Sequence, residues 1–211
     1  MEDVLDLYEE PYDPAYPTVC FDEKPVVLHA ETRPPQPAVP GRAERRDYEY
    51  GREGTANLFV MTEPLAGWRH VAVTERRTKL DFAEVVRWLI EERYPDVEYV
   101  RIVLDNLNTH GPAALYEAFP PEQARAIAAR VEWHHTPKHG SWLNMAEIEI
   151  SVFERGCLSR PVGDLPTLER RVRTLEAERN AARCTIHWQF TSPQARTKLA
   201  DLYPVVQTKL D

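Results

Sequence analysis

Residues 99–105 have the sequence YVRIVLD, a short apolar run that ends in a carboxylate. This pattern predicts a buried strand with Asp105 at its C-terminal end. Residues 18–22, TVCFD, have the same character and end at Asp22. Between them, ANLFVMT (56–62) and RHVAVT (69–74) flank a segment that contains Pro64 and Gly67, which predicts a β-hairpin.

Helical segments alternate with the later strands. Residues 81–93 place apolar side chains on one face behind Asp81 as a candidate cap, and Pro121 opens a second helix. Residues 131–135 predict a fifth strand, Ser141 is a candidate N-cap for a helix to about residue 155, and residues 164–183 predict a charged helix. A hairpin that leads into alternating helices and strands predicts an α/β fold with a mixed sheet flanked by helices.

Composition restricts the class of protein. The 211 residues are 43% hydrophobic and 28% charged, which is typical of a globular domain. Three widely separated cysteines exclude a disulfide framework, and no apolar run is long enough to predict a transmembrane helix. The N-terminus is acidic, unlike a signal peptide, so we expect a cytoplasmic protein.

The net charge of −8 is concentrated at one end of the chain. Residues 1–16 contain six acidic side chains and neither Lys nor Arg, so the remainder is nearly neutral. With three prolines, residues 1–17 predict an extended acidic lead-in with room for one short helical turn. The charge balance therefore neither supports nor excludes binding to nucleic acid.

Three carboxylates form the most informative pattern. Asp22 and Asp105 end two predicted strands, where the sites of open α/β sheets collect, and Glu147 lies on the helix predicted after Ser141. Their oxygens suit hard divalent cations, and two such ions about 4 Å apart can clamp the attacking and leaving oxygens of a phosphoryl transfer. Taken singly, each residue also fits a cap, a turn or a salt bridge. Glu23 and Glu149 are the nearest rivals, although each points away from its neighbour in the pattern.

Longer stretches around these residues resemble one family. They are CFDEKP around Asp22, GTANLFVMTEPLAGWRHV in the hairpin, VLDNLNTH around Asp105, HTPKHGSWLNMAEIEIS around Glu147, and WQFTSPQARTKLADLYP near the C-terminus. Together they resemble the catalytic domain of the DDE transposases of bacterial insertion sequences, in the group related to mariner elements. The resemblance extends from about residue 18 to residue 204.

The resemblance implies a ribonuclease H-like fold with a mixed five-stranded sheet flanked by helices. Asp22 would lie on the first strand, Asp105 at the end of the fourth, and Glu147 on the helix after the fifth. These residues would be both catalytic groups and ligands of two Mg²⁺ ions, for which Mn²⁺ can substitute. The implied reaction is cleavage of double-stranded DNA at the element ends, followed by attack of the freed 3′-hydroxyl on target DNA. A homodimer or larger assembly on DNA would carry it out.

The resemblance also predicts the domain organisation. We expect an acidic lead-in (1–17), a ribonuclease H-like catalytic domain (18–204) and a C-terminal tail (205–211). Such transposases normally begin with helix-turn-helix modules, and the segment before Asp22 is too short to form one. We therefore expect a truncated copy, a second reading frame or a domesticated remnant, associated with a bacterial nucleoid.

Two segments are candidates for contact with DNA. Residues 31–54 are rich in Pro, Gly and Arg and predict a loop that tracks phosphates, with a solvated loop as the alternative. This loop contains Arg42, Arg45 and Arg46. The second segment precedes the Glu147 helix, where a Lys and a helix N-terminus bind phosphate and a Trp stacks on a base. Its candidates are Lys138, His139 and Trp142, the last of which equally fits the core.

Other residues leave alternatives open. Asn106, His110 and Asn144 are candidate supporting residues around the carboxylates, with turn capping as the alternative for the first two. His134, His135 and His139 suggest zinc, but no fourth ligand has a convincing spacing. Beside the transposase, we therefore keep two other hypotheses. One is a non-catalytic remnant that binds DNA or a partner chain, and the other is a zinc hydrolase.

Overall fold

The fold is organised around a mixed five-stranded sheet. The computed structural model describes residues 1–31, 41, 50–105 and 110–203. The strands are β1 (Thr18–Glu31), β2 (Tyr50–Glu63), β3 (Trp68–Thr74), β4 (Val100–Leu104) and β5 (Val131–His135). Their order is β3-β2-β1-β4-β5; β2 is antiparallel to both neighbours, whereas β1, β4 and β5 are parallel. The predicted mixed sheet is thus confirmed.

The predicted hairpin is β2–β3, and its turn requires a glycine. Gly67 has a φ of +66°, and a Cβ at this position would lie 2.6 Å from the backbone of Arg183. β2 begins earlier than expected, because residues 50–54, which we assigned to a loop, pair with the second half of β1. The glycines there suggested a loop, but they lie within the paired strand, whose register shifts between Leu28 and His29.

Seven α-helices flank the sheet in the described parts of the chain. They are α1 (Glu2–Glu9), α2 (Lys79–Trp88), α3 (Pro112–Ala118), α4 (Pro121–Ala128), α5 (Ala146–Cys157), α6 (Leu165–Ala181) and α7 (Ser192–Lys198). A π-helical turn (Leu89–Arg93) extends α2, and 3₁₀ turns occur at Ser141–Leu143 and Ala200–Leu202. In these ranges no helix has the length and apolar character needed to cross a membrane.

Two helices begin at residues other than those that the predicted N-caps, Asp81 and Ser141, imply. Thr78 caps α2, since its side chain accepts a hydrogen bond from the Asp81 backbone while the Asp81 carboxylate accepts from the Thr78 backbone. Ser141 opens a 3₁₀ turn, and α5 begins only at Ala146. The intervening Asn144 is extended, which ends the first turn before the α-helix starts.

The sheet is covered on both faces. Along β2, Phe59 and Met61 face a cluster that includes α2, α3 and α4, whereas Leu58 and Val60 face α5 and α6. This alternation follows from the two-residue period of a strand. In β1, Phe21 packs in the first cluster, so Asp22 points to the opposite face, towards the side of α5.

The N-terminal segment differs from the expected lead-in. Residues 2–9 form a two-turn helix whose Val4, Leu5 and Leu7 are buried against Cys20 and Val103 of the sheet. The prolines begin only after this helix, so they do not prevent it. Residues 204–211 lie outside the described residues, and the division into 1–17, 18–204 and 205–211 stays a prediction.

Candidate active site

Asp22, Asp105 and Glu147 belong to three elements that meet at one edge of the sheet. The parallel strands β1 and β4 pair Cys20 with Val103, and the two aspartates each lie two residues beyond that pair. Adjacent strands are about 4.8 Å apart, so the two side chains emerge at the same level. Cys20 and Val103 also pack against Ala146, the first residue of α5, which brings Glu147 to the same side.

The three carboxylates share one electrostatic environment. The pKa of Asp22 is raised to about 7, chiefly by burial. The hydrogen bond from the Glu23 backbone lowers this pKa, while the negative charges of Glu147 and Asp105 raise it further. The fold thus places like charges together at a cost, which is typical of functional sites.

Asn144 connects β1 to the start of α5. Its side-chain amide is buried and donates to the carbonyl of Phe21 at 2.8 Å and to Asp22 Oδ2 at 3.5 Å. Its side-chain oxygen accepts from the backbone of Ala146 at 3.1 Å. One amide therefore fixes the strand that carries Asp22 against the helix that carries Glu147.

His110 lies between two carboxylates. Its Nδ1 is 2.5 Å from Asp105 Oδ1, and its Nε2 is 2.8 Å from Glu23 Oε1. The ring stacks on Phe82 with centroids 4.9 Å apart and meets Phe21 edge-on at 5.8 Å. Burial lowers the pKa of His110, but the hydrogen bonds to Asp105 and Glu23 together outweigh it and raise this pKa to about 9. Sequence reasoning missed the role of Glu23, because only the fold brings it to His110.

Glu149 has a different environment from Glu147, two residues away on α5. Its side chain is fully buried and contacts Arg69 Nη2 at 3.1 Å. Arg179 donates to both of its oxygens, from Nε at 3.0 Å and from Nη2 at 2.7 Å. Both oxygens are thus committed to guanidinium groups, and Glu149 is a structural anion.

The comparison with protein families fits this arrangement. The family model described as DDE superfamily endonuclease matches residues 17–169, a segment that contains all three carboxylates. The chain belongs to this family. No curated protein matches the chain. The narrower assignment to bacterial insertion sequences stays a prediction.

The fold of this chain also matches that of a solved transposase structure. The crystal structure of the Mos1 mariner paired end complex with Mn matches with a TM-score of 0.53 at 14% identity, over 87% of this chain and 57% of the Mos1 chain. The Mos1 transposase paired-end complex with left transposon end matches over 89% of this chain and 63% of that one, with a TM-score of 0.35 and 14% identity. This chain therefore spans less than two thirds of the Mos1 chains. The first match confirms the ribonuclease H-like fold.

The carboxylate donors at this site suit a divalent metal. Carboxylate oxygens are the ligands that Mg²⁺ and Mn²⁺ prefer. The pKa of Asp22 is raised chiefly by burial and further by the charges of Glu147 and Asp105, and a cation would offset both effects. In the described residues, no three His, Cys, Asp or Glu side chains are already gathered as a ligand set. The three carboxylates are therefore of the chemical type that binds such an ion, but in the described residues they do not form a gathered ligand set.

The histidines proposed for zinc have other surroundings. His134 Nδ1 is 2.9 Å from Asp3 Oδ2 of α1, an ion-pair partner supplied by the N-terminal helix. His139 is exposed and has a φ of +64° in the turn before the Glu147 helix. The described residues give zinc no ligand cluster either.

The residues predicted to contact DNA fall into two groups. Arg42, Arg45 and Arg46, together with Asn106 of the supporting set, lie outside the described residues. Lys138 and His139 are exposed, and Trp142 is 45% exposed beside Trp188 and Phe190. The core alternative for Trp142 is therefore wrong, and its ring is accessible on the segment that leads into α5.

Proposed function

We propose that this chain is the catalytic domain of a DDE transposase. It would cleave DNA at element ends and join the freed 3′-hydroxyl to target DNA. The observation that carries the proposal is the meeting of Asp22, Asp105 and Glu147 at one sheet edge in a chain of the DDE endonuclease family. An origin in a bacterial insertion sequence rests on the sequence motifs around these residues.

The roles of the residues follow from where each is held. Asp22 and Asp105 would bind divalent ions from the sheet, and Glu147 would bind from α5. Bound Mg²⁺ or Mn²⁺ would supply activation of the attacking oxygen and neutralisation of charge on the phosphate. Asn144 would keep β1 and α5 at a fixed separation, so that the carboxylates stay in reach of the same phosphate.

Double-stranded DNA is the proposed substrate. Trp142 offers an exposed ring for stacking on a base, and Lys138 and His139 offer donors for a phosphate on the same segment. A homodimer or larger assembly on DNA is proposed by resemblance to mariner-related transposases, and the matched Mos1 structure is a paired end complex with Mn.

Asp105→Asn tests the assignment. We expect wild-type protein to bind Mn²⁺ by titration calorimetry and to nick supercoiled plasmid DNA in Mn²⁺. The variant should fold normally and lose nicking, because it lacks one ligand charge. Asp96→Asn, an exposed aspartate on the loop before β4, is the matched control and should nick like the wild type.

Two outcomes would contradict the proposal. Asp105→Asn that nicks like the wild type would show that the three carboxylates are not the catalytic groups. Wild-type protein that neither binds Mn²⁺ nor nicks DNA would favour the non-catalytic remnant. A crystal soaked in Mn²⁺ gives an independent reading, since anomalous peaks are expected between Asp22, Asp105 and Glu147.

A further inference from the structure

A chain of hydrogen bonds leads from Asp105 to the far face of the sheet. Asp105 Oδ1 bonds His110 Nδ1, and His110 Nε2 bonds Glu23 Oε1. Glu23 follows Asp22 in β1, so its side chain points to the opposite face of the strand. The two neighbours in sequence therefore reach the same site by different routes: Asp22 directly, and Glu23 through an imidazole.

We propose that Glu23 and His110 are positioning residues that fix the orientation of the Asp105 carboxylate for metal binding. The inference rests on the proposed metal-dependent function. The imidazole occupies Oδ1 of Asp105, and among the described residues no hydrogen bond reaches Oδ2. A carboxylate held by one oxygen presents the other in a fixed direction, which is how second partners orient metal ligands.

The packing around His110 holds the ring in one orientation. Its side chain is 1% exposed, with Phe82 stacked on one face and the edge contact of Phe21 beside it. Rotation of the ring would break both hydrogen bonds within this aromatic enclosure. His110 therefore acts as a rigid spacer between the two carboxylates.

The carboxylate of Glu23 is buried, and among the described residues its hydrogen-bond partner is His110. Its side chain is 6% exposed, and a buried carboxylate is costly unless it is paired. Its partner in the structure is the imidazole, which also bonds Asp105. The arrangement thus couples Glu23 to Asp105 although the two carboxylates do not contact each other directly.

Mn²⁺ affinity in a set of variants tests the coupling. The set comprises wild type, Glu23→Gln, His110→Gln, the double variant, and Glu63→Gln as matched control. Glu63 is a buried glutamate of β2 whose carboxylate accepts from Tyr94 Oη at 2.6 Å, outside this chain of bonds. Each protein is titrated with Mn²⁺ by calorimetry, and its thermal unfolding is recorded without metal.

We expect His110→Gln to weaken Mn²⁺ binding by about 10–100-fold, as changes behind a metal ligand typically do. Glu23→Gln should weaken it less, and the double variant should bind no more weakly than His110→Gln, because Glu23 acts through the imidazole. Glu63→Gln should bind Mn²⁺ like the wild type. Should His110→Gln fail to fold, Glu23→Gln, which keeps the imidazole, still decides the matter against wild type.

The outcomes separate this inference from the proposed function. If the wild type binds Mn²⁺ and both single variants bind it with the same affinity, the chain of bonds has only a structural role, even if the variants unfold at a lower temperature. That result overturns this inference and leaves the proposed function standing. Fully additive losses in the double variant would also overturn it. A wild-type protein that does not bind Mn²⁺ would overturn the proposed function and this inference together.

Discussion

Replacement of Glu149 by Gln should destabilise the protein far more than an ordinary surface change. Arg69 and Glu149 are both fully buried, and their ion pair has 0% exposure on each side. The other partners of the Arg69 guanidinium are the amide oxygen of Asn180 and backbone carbonyl oxygens, including those of Gly67 and Arg179. Among these contacts, Glu149 supplies the negative charge that balances the buried cation.

The magnitude follows from this burial. Removal of one member of a buried ion pair costs about 3–5 kcal/mol, because the remaining charge is left without compensation in the interior. For a domain of this size, each kcal/mol shifts the unfolding temperature by about 2–4 °C. We therefore expect Glu149→Gln to unfold about 6–20 °C below the wild type.

The matched control lies on the same helix. Glu154 pairs with Lys24, and its side chain is 41% exposed. An exposed pair contributes at most about 1 kcal/mol, so Glu154→Gln should change the unfolding temperature by a few degrees at most. Urea unfolding followed by tryptophan fluorescence gives both free energies of unfolding. If the two variants lose the same free energy of unfolding within about 1 kcal/mol, the buried pair does not hold α5 in place.

The remaining predictions concern pH and DNA. The pKa of Asp22 is raised from 3.8 to about 7 in the folded protein, so between about pH 4 and pH 7 the folded state retains a proton that the unfolded state releases. Stability of the metal-free protein should therefore fall as pH rises through this window, by at most about 4 kcal/mol, and Asp22→Asn should flatten that slope in urea unfolding at several pH values. Neutralisation of Arg45 and Arg46 should weaken binding to a DNA duplex and reduce the salt dependence of its affinity. Unchanged affinity at low salt, measured by fluorescence anisotropy, would remove these two residues from the interface.

The sheet could be predicted from the sequence because its signals are local. The run at residues 131–135 predicted β5 at the bounds that the structure gives, and the hairpin followed from two apolar runs around Pro64 and Gly67. The position of Asp105 directly after β4 followed for the same reason. Each conclusion needed only the order of residues along a few turns or strands of chain. Asp22 lies on β1, but the strand end predicted at Asp22 is wrong, because β1 continues to Glu31 in its pairing with β2.

The burial and pairing of the interior charged residues could not be predicted, since both depend on partners that are distant in the sequence. Arg69 belongs to the run predicted as the second strand of the hairpin, and the sequence does not indicate the environment of its side chain. The fold buries it against Glu149 and Arg179, which are 80 and 110 residues away along the chain. α1 was missed for a related reason, because its apolar Val4, Leu5 and Leu7 are interrupted by acidic residues and find their partners far along the chain, in the sheet, around the start of α5 and in α7.

The two glutamates of α5 show how the fold keeps like charges close together at the candidate site. Glu149 accepts hydrogen bonds from the guanidinium groups of Arg69 and Arg179, which bind α5 to β3 and α6. Glu147, two residues earlier, lies close enough to Asp22 for its negative charge to oppose the ionisation of Asp22. The favourable contacts of the first residue hold the helix in the place where the second is repelled. A helix anchored only through its apolar face could shift to relieve that repulsion. Because the buried pair opposes such a shift, the repulsion is relieved by a proton on Asp22 below about pH 7 or by a bound divalent cation.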